Sequence, residues 1–170
     1  MSGDVVGKYA GKKINSAEFV SSIQTWLHSC AGHEKCSRSL SGFPIQDKEE
    51  APLPTRCILV EPIGDSGFTL SLRCTTDDER GTYITLSHRW NAETPRCMTL
   101  PSNVAQRLRG RDLDALPPLF TDVFSLARSL GIRYVWIDSI CIIQGPAGDF
   151  NIEATKMADY YQNSLFTVAA

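Results

Sequence analysis

Asp138 interrupts one of the most apolar runs of the chain, YVWIDSICIIQ over residues 134 to 144. A carboxylate in that setting either caps the following turn by accepting backbone N–H bonds or faces a ligand at the end of a strand. A second apolar run, TYITL, ends in Ser87, His88, Arg89 and Trp90, which supply a hydroxyl, an imidazole, a guanidinium and an indole within four positions. Gln144 closes the first run, and Glu153 follows a few residues on in FNIE. A separate group, His28, Cys30, His33 and Cys36 in HSCAGHEKC, has the ligand types for zinc. Its spacing matches no standard finger and a fourth ligand would have to fold back, so buried thiols at a helix end are the simpler reading and no metal is assigned.

The elements that must position these groups follow from hydrophobic period. NSAEFVSSIQTWLHSC repeats apolar residues at helical spacing, with Asn15 and Glu18 in a capping-box arrangement. Residues 31 to 56 turn polar and rich in Gly, Ser and Pro and read as a linker or surface loop. RCILVEPI and GFTLSLRC, joined through GDSG, read as a short β-hairpin. From about residue 83 the order changes to strand, helix, strand, helix, strand. Tyr83 to Leu86 form the first strand, and LPPLFTDVFSLARSLG is a helix opened by Pro117 and Pro118 and closed by Gly131. IRYVWID is a strand apolar on both faces, GDFNIEATKMADYYQN a helix with Asp149 at its N-cap, and SLFTVAA the third strand. A βαβαβ order predicts a parallel sheet covered by helices. Ligands of open parallel sheets bind beyond the carboxyl ends of the strands, which is where Ser87, His88, Arg89, Asp138 and Gln144 fall.

Composition removes several function classes. The chain of 170 residues is 42% hydrophobic, enough for one globular domain with an N-terminal extension. A formal net charge of -2, with Lys and Arg scattered, leaves no basic stripe for nucleic acid. No stretch approaches the ~18 apolar residues of a membrane helix, and residues 1 to 15 lack a signal-peptide core, so an intracellular, cytoplasmic protein with its six cysteines reduced is expected.

YITLSHRW, LPPLFTDVFSLARSLGIRYVWIDSICIIQ and DFNIEATKMADYYQNSLFTVAA, in this order and spacing, resemble the successive motifs of the fungal heterokaryon incompatibility (HET) domain. The resemblance covers residues 83 to 170, and the upstream WLHSC and LPTRCILV resemble the leader that often precedes that domain. It divides the chain into an extension over 1–56 and a HET domain over 57–170. It implies self/non-self recognition, programmed cell death and a distant relationship to TIR domains, hence a flavodoxin-like core. Two departures from the family pattern are mild: Asn91 stands where glycine usually follows Trp90, and Phe150 where tryptophan opens the acidic helix. A third is larger, because the family continues with further strands and helices beyond the position of Ala170, so a fragment of a longer domain is expected.

The TIR relationship implies NAD as a substrate, with no bound cofactor. The nicotinamide–ribose bond breaks through an oxocarbenium-like state that a carboxylate stabilises, much as in glycoside hydrolysis. Glu153 is the first candidate for that role, with Asp138 beside the cleft, although a glutamate in a first helical turn is also favoured by the helix dipole. In a second TIR register the catalytic glutamate lies beyond residue 170. Arg89 suits a diphosphate through its planar fork. Trp90 and Trp136 suit stacking on a base or nicotinamide ring, although aromatics at core strands are more often core. Ser87, His88 and Gln144 complete the binding set; His88 is read as a structural hydrogen-bonding group, because the leaving group departs neutral. The loop GPAG before the helix has room for a phosphate but lacks a phosphate-loop pattern. The alternative from another class is a non-enzymatic death-signalling module acting by self-association or through a regulatory protein partner, in which Asp138 and its neighbours hold the strand-end loops.

Overall fold

A computed structural model describes residues 16–31, 50–65, 67–111, 113 and 116–170. β1 (Arg56–Ile63) and β2 (Gly67–Cys74) form the expected hairpin, antiparallel from Arg56↔Cys74 to Ile63↔Gly67. β3 (Tyr83–Ser87) leads into two short helices, α2 (Thr94–Cys97) and α3 (Val104–Arg107). Then come α4 (Pro118–Ser129), β4 (Tyr134–Ile137), the one-turn α5 (Asp138–Cys141), α6 (Phe150–Glu153), a 3-10 turn over Ala154–Lys156, α7 (Met157–Asn163) and β5 (Thr167–Ala169).

The strands make one five-stranded sheet in the order β2-β1-β4-β3-β5. β3 pairs in parallel with β4 on one side and β5 on the other, whereas β1 pairs antiparallel with both β2 and β4. The wholly parallel sheet expected from the βαβαβ order is therefore corrected to a mixed α/β sheet, in which the long hairpin makes antiparallel pairing the larger share. The physical cause is an open edge. β4 has a free ladder on the side away from β3, and β1 fills it through Ile58↔Val135 and Leu59↔Tyr134. The hairpin is thus part of the sheet and not an appendage to it.

Burial follows the pattern of the residues. β3 and β4 are apolar on both faces and almost wholly inaccessible, including Tyr83, Ile84, Leu86, Val135, Trp136 and Ile137. Phe120, Val123, Phe124 and Ala127 of α4 pack into the same core. Pro118 takes the first helical position of α4, where its missing N–H costs nothing. Gly131, at φ +73°, ends it: its N–H reaches Arg128 O and that of Ile132 reaches Ala127 O, the paired bonds of a Schellman cap.

Three local expectations change. The helix predicted over 149–163 is broken at Ala154–Lys156 into α6 and α7. Thr155 Oγ1 bonds the Ile152 carbonyl there, a local competitor of the helical ladder. Asp149 stands at the N-cap of α6 without capping it; its carboxylate instead accepts Ile143 N–H at 2.9 Å and pairs with Arg56 at 2.5 Å. The stretch 51–55, assigned to a surface loop, is largely interior: Ala51 and Leu53 join the core, and Leu53 N and Ala51 O bond the backbone of Glu79 and Gly81. The N-terminal helix α1 (Ala17–Ala31) is present, with Ser16 Oγ accepting Phe19 N–H; Asn15 lies outside the described residues. Among the described residues no helix is long and apolar enough to cross a membrane.

Candidate functional site

β4 ends at Ile137, and the chain turns at once into α5, so Asp138 sits at the carboxyl end of a central strand. Its carboxylate is engaged on both oxygens. Oδ1 accepts the Ser139 N–H at 2.6 Å and Oδ2 accepts the Trp90 indole N–H at 2.9 Å. His88, at the end of β3, lies beside it: Nε2 is 3.4 Å from Asp138 Oδ1 and 3.3 Å from Ser139 Oγ. The parallel pairing Leu86↔Ile137 is what brings the two strand ends level.

This arrangement differs from a catalytic triad. In a triad the acid holds one imidazole nitrogen and the nucleophile meets the other. Here both Asp138 and Ser139 approach Nε2, Nδ1 lies 3.3 Å from the Arg89 carbonyl, and Ser139 is wholly buried. The imidazole is further fixed edge-on against the Phe120 ring at 4.9 Å. Cys97 is the nearby thiol, and burial pushes its pKa up, away from the thiolate a nucleophile needs.

The other sequence-derived residues distribute around this pair. Trp90 is half exposed and tied to Asp138 by its N–H. Ser87 is exposed at the end of β3, and the Tyr161 phenol is pushed up by burial and by the Asp138 charge. Gln144 is buried and donates from Nε2 to the carbonyls of Asp138 and Ile142, holding the loop after α5. Trp136 is wholly buried between Tyr160 and Tyr161, with ring centroids 5.5 and 5.4 Å away, and its Nε1 has no hydrogen-bond partner among the described residues. Arg89 is exposed and lines a cleft of about 390 Å³ together with His88, Asn91, Glu93 and the stretch Pro117–Phe120. Asn91 shapes the turn at this cleft: its Oδ1 accepts Glu93 N–H and its carbonyl accepts Thr94 N–H.

Glu153 belongs to a different neighbourhood. It is 2% exposed, its Oε2 accepts the Tyr160 hydroxyl at 2.9 Å, and its Oε1 pairs with Lys156 at 3.1 Å. Thr55 Oγ1 closes the group, 2.9 Å from the Tyr160 oxygen and 3.1 Å from Lys156 Nζ. The hydrogen bond to Glu153 holds the Lys156 ammonium above its usual pKa. No hydrogen bond or ion pair among the described residues joins Glu153 to Asp138 or to the lining of the cleft.

The GPAG loop closes on itself: Gly148 N–H bonds Gly145 O and Asp149 N–H bonds Ile143 O. Those donors are spent, and α6 behind them is only four residues long. Of the zinc candidates, Cys30 is exposed on α1 beside His28, while His33 and Cys36 lie outside the described residues; no metal-binding group of His, Cys, Asp and Glu occurs among the described ones. Ser139 joins the Asp138 cluster and Tyr161 packs against Trp136, each without a motif of its own. The one signal for Tyr161 is a phenol on an otherwise apolar helical face, which needs a polar partner when buried.

The family model for heterokaryon incompatibility protein (HET) matches residues 83–170, just over half of the chain. This protein belongs to the heterokaryon incompatibility family. No curated protein and no solved structure matches it. The matched segment runs from the first residue of β3 through β5, so it contains the three mutually parallel strands and the whole Asp138–His88 cluster.

Proposed function

We propose that the chain is the death-signalling module of a cytoplasmic fungal self/non-self recognition protein, and that it acts by associating with itself or a regulatory protein rather than by cleaving NAD. The observation that carries this reading is the state of the two candidate carboxylates. Asp138 spends both oxygens on Trp90 and Ser139, and Glu153 is buried against Tyr160 and Lys156. A carboxylate that stabilises a ribosyl cation must face the ribose, whereas these two face the protein. Family membership supports the recognition and cell-death part of the proposal. The order β4-β3-β5, with the first strand of the three in the middle, supports a flavodoxin-like, TIR-related core, which begins in the same way.

The test is induced expression of this chain in yeast, with growth and cellular NAD followed together, beside Glu153→Gln and Asp138→Asn at matched soluble protein level. Growth arrest with steady NAD is the expected result, with variants losing effect only in proportion to lost folded protein. A fall in NAD that folded Glu153→Gln fails to reproduce would establish the enzyme instead. Unimpaired growth at high soluble expression would count against the death-signalling part.

A further inference from the structure

We propose that the cleft beside His88 is a binding site for a small aromatic anion, a single or fused ring bearing one carboxylate-like charge. This inference is independent of whether the module cleaves NAD or only associates. Its volume, about 390 Å³, lies at the small end of the ~300–1,000 Å³ range of ligand clefts, fitting a ring system better than a dinucleotide.

The walls favour a flat apolar body. One side is the contiguous run Pro117, Pro118, Leu119 and Phe120 at the start of α4, stiffened by two pyrrolidine rings. The His88 ring, which also lines the cleft, is fixed by its edge-on contact with Phe120 and by Ser139 and Asp138. These surfaces are preformed, so a planar ligand loses little to rearrangement of the site.

Charge at the rim selects the anion. Glu93 and Arg89 both line the cleft, but the Glu93 carboxylate is paired with Arg96 at 2.8 Å. The Arg89 guanidinium has no hydrogen-bond or ion-pair partner among the described residues, and its planar fork matches a carboxylate in two-point contact. Asn91 and Ala170 border the remaining edge.

The probe pair is 2-naphthoate and neutral 2-naphthamide, titrated into the isotope-labelled full chain with backbone amide shifts followed by NMR. Saturable shifts in residues 88–97 and 117–121 are expected, with naphthoate bound about tenfold more tightly than the amide, the ratio that one charge-assisted contact supplies. Arg89→Gln should remove that ratio while leaving the amide's affinity in place. Leu119→Trp should fill the cleft and weaken both probes, with an unchanged spectrum elsewhere confirming the fold. The proposal is overturned by an absence of saturable shifts at millimolar probe, by shifts mapping elsewhere, by equal affinity for the two probes, or by an Arg89→Gln variant that keeps the preference.

Discussion

The Trp90 indole N–H donates to Asp138 Oδ2 at 2.9 Å, tying the turn after β3 to the end of β4 across 48 positions of sequence. Trp90 is nevertheless half exposed. A double-mutant cycle of Trp90→Phe and Asp138→Ala isolates that bond. We expect each single change to cost about 1.5–3 kcal/mol, as for a hydrogen bond to a charged group, and the pair to fall short of additivity by at least about 0.5 kcal/mol. Urea denaturation measures it, and strict additivity would show that the two side chains do not support each other.

Glu153 is held by a hydroxyl and an ammonium inside the protein, so Glu153→Gln should lower stability by about 1.5–3 kcal/mol. Tyr160→Phe should cost a similar amount, because the phenol oxygen lies within hydrogen-bond reach of both Glu153 and Thr55. A fully stable Glu153→Gln variant would contradict a structural role and return this residue to the list of catalytic candidates.

Gly148 has no room for a side chain: a Cβ there would lie 2.0 Å from the Ile143 carbonyl oxygen. Backbone must move to admit it, so Gly148→Ala should cost about 3 kcal/mol, the upper end for overpacking. Gly64 is the control. Its φ of +53° strains an alanine by about 1–2 kcal/mol, but nothing lies within 4 Å of the added carbon. Thermal melts of the two variants should rank them in that order.

Burial pushes the Cys141 thiol from 9.0 up to about 12, and Cys57 is raised well above its ordinary value by the same cause. Both should resist alkylation at pH 8 while exposed Cys30 and Cys74 react, which mass spectrometry of the native protein would reveal. The sign of the stability effect follows from linkage. The unfolded thiol loses its proton near pH 9 while the folded one keeps it toward pH 12, so stability is intact below about pH 9 and declines between these values. Cys141→Ala should flatten that alkaline decline; an unchanged slope would remove Cys141 as a source of it.

Much of the architecture was legible locally. Alternating or continuous apolar runs marked all five strands, the double proline and Gly131 marked both ends of α4, and the strand-end position of Asp138 and His88 followed from their place after those runs. Local signals cannot report which strands become neighbours. The antiparallel insertion of β1 against β4 and the interior position of Ala51–Thr55 depend on edges that exist only once the sheet has formed.

The sequence by itself determined the family, the elements and the presence of a polar cluster at the strand ends, because periodicity, turn residues and motif spacing are short-range properties. Tertiary structure alone decided what each polar group does. Arg56 reaches Asp149 across 93 positions, and Thr55 reaches Tyr160 across 105. Trp136 disappears between two tyrosines, and Glu153 faces inward. A carboxylate reads the same in sequence whether it meets a ligand or a buried hydroxyl; its partners come from distant segments, and only packing brings them within a hydrogen bond.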